Sequence, residues 1–412
     1  MNIIVAVSGS IASYKAFDVV RGLTKTGHKV RVILTQGAHE FVKPEVFKHL
    51  GAEFVYQAQD DHHPSADKFE GLDSSQVLHI ALARWAQKFI AAPLTANSLN
   101  KLGQGLADDL LSCLFLAMSP EIPKLIFPAM NPAMWENQIV KKSRSTLSEM
   151  PMTYLHSTLS GEMVCGENGD GKLATVEEIL ALTQSFKDKP RQDKILITTG
   201  ATISPLDPVR YLTNNSSGET GYWLAVEALK MGFKVHLIAG EKATLKLNLL
   251  IDHPRFQLER VQTTEQMLTA VTNSFDECKA YISSAAIGDI SFQTQNEKIK
   301  KDKITNSLPI IQAPDILKTI LQKRKAHQTI VGFAAETDLS LPVLHRKWSD
   351  KQVDLLVGTK VGFSEGFGDK EANYIFYRGN DSTDFEGNLS KSELAQKIME
   401  LIDYDQTHSV HV

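Results

Sequence analysis

Apolar runs of two lengths alternate along the chain. The short stretches Ile3–Val7, Phe89–Ala92 and Lys124–Phe127 read as strands, and the continuous apolar run Ile3–Val7 as one buried on both faces. After the first of them, Ser8-Gly9-Ser10-Ile11-Ala12-Ser13 forms a turn. A helix then runs to about Lys25 and stops at Gly27, and Lys29–Thr35 is the next strand. A further helix is predicted near Asp108–Met118. Strands alternating with helices predict a parallel, doubly wound sheet. The theme restarts past the middle of the chain. Lys194–Gly200 is a strand entering a glycine turn, Gly221–Met231 is a helix, and Gly232-Phe233-Lys234-Val235-His236-Leu237-Ile238 parallels the earlier Gly27-His28-Lys29-Val30-Arg31-Val32-Ile33. Polar residues concentrate at Thr183–Asp193 between the two halves. The fold class expected is therefore α/β, with two tandem Rossmann-like doubly wound domains. The boundaries expected are 1–185, a linker over 186–193, a second domain over 194–402 and a disordered tail over 403–412.

Bulk properties narrow the function classes. A chain of 412 residues can bury two separate cores. Its net charge of −4 gives no reason to expect nucleic acid or an anionic membrane as partner. No apolar run approaches the roughly 18 residues of a membrane span, and Met1–Val7 reads as a strand, not a signal peptide. The three cysteines, Cys113, Cys165 and Cys278, suit a reducing cytoplasm, and no Cys/His spacing suggests zinc. Cys113, in an apolar helical setting, reads as core.

Candidate chemistry gathers at strand ends. A Gly/Ser turn feeding a helix offers backbone N–H groups to phosphate. Ser8-Gly9-Ser10 lacks the GxGxxG spacing, which favours a mononucleotide over a dinucleotide. Ala91-Ala92-Pro93-Leu94-Thr95-Ala96-Asn97 puts small residues where a flat ring can approach. His79, Asn131 and Cys165 are polar residues in apolar or glycine-rich surroundings, the makeup of a site handling a carboxylate and a proton. In the second half, Asn214-Asn215-Ser216-Ser217-Gly218 precedes a helix, and Ser283-Ser284-Ala285-Ala286-Ile287-Gly288-Asp289 ends a strand. Asn296–Lys303 is a charged flap or loop, with a dense positive run over Lys298–Lys303. Lys347 and Lys351, spaced i,i+4, share a helix face. Lysines converging on strand ends suit a triphosphate.

Over roughly residues 1–185 the chain resembles the flavin-dependent cysteine decarboxylases, phosphopantothenoylcysteine decarboxylase in particular. The phrases that carry the resemblance are Ser8–Lys15, His79-Ile80, Ala92–Asn97, Ala107-Asp108-Asp109-Leu110-Leu111, Pro128–Trp135 and Cys165-Gly166-Glu167. It implies a flavodoxin-like domain holding FMN through Gly9, Ser10, Ile11, Thr35, Pro93, Thr95, Ala96 and Asn97. His79 would be the base assisting thiol oxidation, Asn131 would hold the substrate carboxylate, and Cys165 would return a proton. A flavin supplies the electron sink that a carboxylate beside an amide nitrogen lacks. Departures are Lys172-Leu173 for the usual Arg-Met, and Leu94 where Ala is common.

Over roughly 191–402 the chain resembles phosphopantothenate–cysteine ligases. This implies CTP-dependent amide synthesis through an acyl-cytidylate, with Mg2+ shielding the triphosphate. Asn214 and Lys298 would serve catalysis. Ser283, Ser284, Ala285, Asp289, Lys298, Pro314, Asp315, Ile316, Leu317, Phe333, Lys347 and Lys351 would form the nucleotide site. Glu219-Thr220 replaces a common Lys-Met, a charge reversal beside that site, and Thr359 replaces a usual Asn. Both halves in this order resemble the bifunctional bacterial enzymes of coenzyme A biosynthesis. The partners implied are small-molecule substrates and further copies of the chain in a trimer-based assembly. The other readings are a decarboxylase acting on peptidyl cysteine and a regulatory flavoprotein.

Overall fold

The computed structural model describes residues 1–61, 64–162, 168–186, 190–300, 310–362, 371–379 and 383–408. The chain divides into two compact units, one of Met1–Asp188 with Asp252–Pro254, the other of Lys189–Ile251 with Arg255–Val412.

The first unit is built on six parallel strands: β1 (Asn2–Val7), β2 (Lys29–Leu34), β3 (Phe54–Gln57), β4 (Lys88–Leu94), β5 (Lys124–Pro128) and β6 (Thr153–Leu155). Their order is β3-β2-β1-β4-β5-β6. Successive side chains of a strand point to opposite faces, so Ile3, Val5 and Val7 enter one core and Ile4 and Ala6 the other. This is why β1 shows no polar alternation: helices cover both of its faces. The chain winds outward from β1 to β3, returns to β4 beside β1, and continues the other way. The crevice at the carboxyl ends of β1 and β4 is thus the topological switch point, where doubly wound sheets bind ligands. Lys88, at the start of β4, is fully buried yet satisfied. Its Nζ donates to Thr183 O and Phe186 O, each at 2.7 Å, at the end of the Val176–Ser185 helix. An antiparallel hairpin, β7 (Leu159–Glu162) and β8 (Asn168–Lys172), follows.

The second unit holds an eight-stranded sheet. Its strands are β9 (Lys194–Thr199), β12 (Lys234–Gly240), β13 (Phe256–Val261), β14 (Ala280–Ser283), β17 (Thr329–Glu336), β18 (Leu355–Lys360), β19 (Glu371–Tyr377) and β20 (Phe385–Ser390). Two small ladders join β10 (Ile203–Pro205) to β11 (Tyr211–Thr213), and β15 (Ile290–Phe292) to β16 (Ile310–Gln312). The large sheet runs β13-β12-β9-β14-β17-β18-β19-β20, parallel as far as β18 and antiparallel in its last two pairings. Its switch point lies between β9 and β14. Ile195 and Ile197 face one core, and Leu196 the other. The Glu219–Lys230 helix and the final helix, Lys391–His408, pack together on the first of these faces. Residues 403–408 are therefore helical, where the sequence reading expects a disordered tail. Both units have the doubly wound, Rossmann-like architecture expected. The antiparallel edge formed by β19 and β20 is an addition to it.

Candidate functional site

In the first unit, loops from four strand ends meet at the switch point. Ser8 Oγ donates to Pro93 O at 2.8 Å and accepts from Thr95 N at 2.7 Å, tying the β1 turn to the β4 turn. Thr35 N donates to Val7 O at 3.0 Å, and Ala129 N to Leu94 O at 3.0 Å, so the turns after β2 and β5 join the same ledge. Gly9 is required by close approach: a Cβ there would lie 2.5 Å from the carbonyl carbon and oxygen of Gly37. Gly9, Ser10, Ile11, Thr35, Thr95, Ala96 and Asn97 sit on these turns or on the helix N-termini they lead into, and Pro93 sits at the end of β4.

His79 lies in the first turn of the Leu78–Trp85 helix. Its Nδ1 is 2.9 and 2.8 Å from the two carboxylate oxygens of Asp61, and its backbone N–H donates to the same carboxylate at 3.0 Å. The Asp61 side chain is 7% exposed and that of His79 23%. Sequence reasoning missed Asp61. The neighbouring Asp60 has a different task, pairing with Lys68 at 2.8 Å and accepting from Gln57 N at 2.8 Å, which pins the loop carrying Asp61. Arg31 steadies the same region. It donates to Tyr56 Oη at 2.8 Å and to Glu70 O at 2.7 Å, and stacks over Trp85, at the end of the His79 helix, at 4.5 Å.

Cys113 is not the core residue expected. It is partly exposed, and its sulfur lies within 4.8 Å of donor atoms of both Asp61 and His79. Burial, then the Asp61 carboxylate, push its thiol above the usual range, so it is protonated at neutral pH and a poor metal ligand. The Ala107–Leu111 phrase is structural: Asp109 caps the Leu110–Ala117 helix through Ser112 N at 2.9 Å and pairs with Lys101 at 3.0 Å. Asn131 caps the short Pro132–Trp135 helix, its Oδ1 accepting from Ala133 N at 2.8 Å. The capping bond occupies the carbonyl oxygen of its side chain. Cys165 lies outside the described residues.

The second unit encloses a cavity of about 590 Å3 at its switch point. Asn214 and eleven of the twelve residues expected at the nucleotide site line it: Ser283, Ser284, Ala285, Asp289, Pro314, Asp315, Ile316, Leu317, Phe333, Lys347 and Lys351. Lys298 is the exception. It is exposed on its loop and absent from the lining. The floor is a mesh of strand-end bonds. Ser284 Oγ donates to Thr198 O at 2.7 Å, Ala286 N to Gly200 O at 2.8 Å, and Asn214 Nδ2 to Ala286 O at 3.2 Å. Gly200 and Gly218 both adopt left-handed φ, 75° and 73°, and a Cβ on Gly218 would meet Gly200 Cα at 3.2 Å. Gly218 then opens the Glu219–Lys230 helix, and Gly218, Glu219 and Thr220 of its first turn line the cavity. Lys347 pairs with Glu336 at 2.7 Å, and Lys351 donates to Phe333 O at 3.0 Å. Burial, reinforced by Lys347, pushes the Lys351 ammonium below its ordinary range. Glu336 lines the cavity as well, and so do two residues that sequence reasoning missed, Tyr374 and Lys391, from the edge strand β19 and the final helix.

Two doubly wound units, each with a polar site at its switch point, define a two-domain α/β enzyme built around nucleotide-like ligands. The flavoprotein family model matches residues 1–187, and that of the DNA/pantothenate metabolism flavoprotein C-terminal domain matches 191–404. The coenzyme A biosynthesis bifunctional protein CoaBC of Bacillus subtilis (strain 168) is 34% identical over 411 residues, covering 97% of this chain and 96% of the relative. The protein of the same name from Vibrio vulnificus (strain CMCP6) is 33% identical over 407 residues, 97% of each. A crystal structure of the C-terminal domain of a CoaBC protein aligns at 26% identity, covering 54% of this chain and 97% of that one, with a TM-score of 0.42. The chain belongs to the family of bifunctional coenzyme A biosynthesis proteins. It is accordingly a flavoprotein enzyme, a decarboxylase joined to a ligase. Among the described residues no helix is long and apolar enough to cross a membrane.

Proposed function

We propose that the second unit joins 4′-phosphopantothenate to L-cysteine using CTP, and that the first decarboxylates the resulting 4′-phosphopantothenoyl-cysteine to 4′-phosphopantetheine. The observation that supports this most is the second unit's cavity of about 590 Å3, which gathers a helix N-terminus, Asn214, Lys347 and Lys351 at one switch point. That volume suits a nucleotide with a small acid beside it. Helix N–H groups and ammonium groups lower the cost of placing a polyphosphate there. The acid's carboxylate attacks the α-phosphorus and pyrophosphate leaves. The cysteine amine then attacks the acyl-cytidylate carbonyl and CMP leaves. Asn214, steadied by Ala286 O, is the donor assigned to position the acyl-cytidylate. Asp289 and Asp315 line the same cavity and are oxygen donors of the kind Mg2+ takes when it accompanies a triphosphate. Lys298 is left out of the assignment because it stands outside the lining.

In the first unit the residues fit FMN. The Gly9–Gly37 approach leaves no side chain between the β1 and β2 turns, and the switch-point ledge offers small residues and backbone N–H groups. FMN bound there would supply the two-electron acceptor that turns the substrate's CH2–SH into a thioaldehyde, into which the electrons of the departing carboxylate can move. Asp61 holds the proton of His79 on Nδ1, which leaves Nε2 to take the thiol proton. The Asn131 NH2 group donates to the substrate carboxylate. Cys165 is the assigned proton donor in the return step. The test is mass spectrometry of the protein incubated with 4′-phosphopantothenate, L-cysteine, CTP and Mg2+. Formation of 4′-phosphopantetheine and CMP is expected. A stall at 4′-phosphopantothenoyl-cysteine would refute the first unit's role, and absence of any product would refute the second's.

A further inference from the structure

The charge reversal at Glu219 has a structural counterpart. Glu219 occupies the first turn of the Glu219–Lys230 helix and lines the cavity. A carboxylate here adds negative charge beside helix N–H groups suited to an anion. It is matched by two lysines. Lys246 forms an ion pair with one carboxylate oxygen, and Lys391 Nζ lies 3.7 Å from the other. Lys246 first, then Lys391, hold the Glu219 carboxyl below the usual carboxylate range. The three groups carry one net positive charge. Lys246 is half exposed, whereas the Lys391 side chain is 10% exposed and is itself part of the cavity lining.

A largely buried ammonium that shares its carboxylate with a second lysine is under-compensated, and burying it is costly unless an anion completes its surroundings. Lys347 and Lys351 both come from the Leu341–Lys351 helix, so Lys391 brings positive charge to the cavity from a second wall. Building on the ligase reading, we propose that Lys391 is a phosphate ligand of the ligase site. It contacts the polyphosphate of the bound nucleotide, and Glu219 weakens and orients that contact. The chain thereby carries at position 391 the positive charge that a lysine at position 219 would otherwise bring.

The test is titration calorimetry on the full chain. One arm uses CTP with Mg2+ and no acid; the other uses 4′-phosphopantothenate with no nucleotide. Lys391→Gln should weaken CTP binding roughly tenfold to a hundredfold, the worth of a charge-assisted hydrogen bond. Lys391→Arg should restore most of it. Glu219→Gln should shift CTP affinity the opposite way, tighter than the starting protein, because it frees both lysines. A merely structural pair would lose affinity in both single variants. Unchanged CTP affinity in Lys391→Gln overturns the proposal, and so does a loss confined to the acid arm, which would assign Lys391 to the acid's phosphate. A starting protein that binds CTP in neither the presence nor the absence of Mg2+ would instead remove the ligase reading beneath it. Melting curves guard against misfolding, since Leu394, Ala395 and Ile398 of the same helix are core residues.

Discussion

Replacing Asp61 by Asn separates charge from shape at the base proposed for the first unit. Asn keeps the size of the side chain and one oxygen able to accept from His79 Nδ1, and loses only the negative charge. The pair is mostly buried, 7% and 23% exposed, so water screens it little. A hydrogen bond to a charged group is worth about 1.5–3 kcal/mol, against about 1 for a neutral one. The imidazolium that forms when His79 takes a proton therefore loses roughly 1–2 kcal/mol of stabilisation. Each 1.4 kcal/mol is about tenfold in rate, so decarboxylation should slow by about fivefold to thirtyfold. The assay is the rate of CO2 release from supplied 4′-phosphopantothenoyl-cysteine, with flavin content read from the absorbance spectrum. Ligation by the other unit serves as the control for intact protein. Full flavin occupancy and a rate within twofold of the starting protein would refute the proposed role of Asp61.

Three further outcomes are expected. Gly9→Ala forces a Cβ to 2.5 Å from the Gly37 carbonyl, so the β1 and β2 turns must part; flavin retention should fall and the first unit's melting temperature should drop, by an amount equivalent to roughly 1–3 kcal/mol. The lowered pKa of Lys351 means its ammonium is lost at a pH below the ordinary lysine range; CTP affinity should therefore decline as pH rises through that value, and the decline should be absent in Lys351→Gln, as calorimetry across pH would reveal. Asp207 accepts from Val209 N at 2.9 Å, Arg210 N at 2.8 Å and Ile299 N at 3.1 Å, and its pairing with Arg210 holds its carboxyl well below the usual range. A depressed carboxyl stabilises the fold above its unfolded value near 3.9 and loses that contribution as pH falls through the folded value. Asp207→Asn should thus melt earlier at pH 7, and the difference should narrow on acidification below about pH 4; an unchanged gap would count against this ion pair.

The sequence carried the parts of the fold that depend on local pattern. The buried run Ile3–Val7 and the recurrence of its glycine-turn context at Lys194–Gly200 announced two doubly wound sheets, because a strand covered on both faces has no polar alternation to hide it. The second cavity was legible because its residues sit at strand ends, where doubly wound topology forces convergence. Residues brought in by tertiary contact alone were not legible. Asp61 lies in the run Asp60-Asp61-His62-His63, and nothing in the run says which carboxylate meets His79. Lys391 stands far from Glu219 in sequence, and only the packing of their two helices joins them. Cys113 was misread because an apolar helix mostly buries its residues, and a cysteine placed beside Asp61 looks no different in the string of letters.

The placement of Lys391 bears on the order in which the two sites come into being during synthesis. Every described strand and turn of the first site has been translated by Lys172, whereas the second cavity lacks part of its wall until the ribosome has added Lys391 and the core residues after it. The 219 residues from 172 to 391 take on the order of 10–45 s at roughly 5–20 residues per second. A nascent chain can therefore hold its flavin pocket while its ligase is still unfinished. A chain ended before the last helix would carry every described strand of the first site and a second cavity without the Lys391 part of its wall.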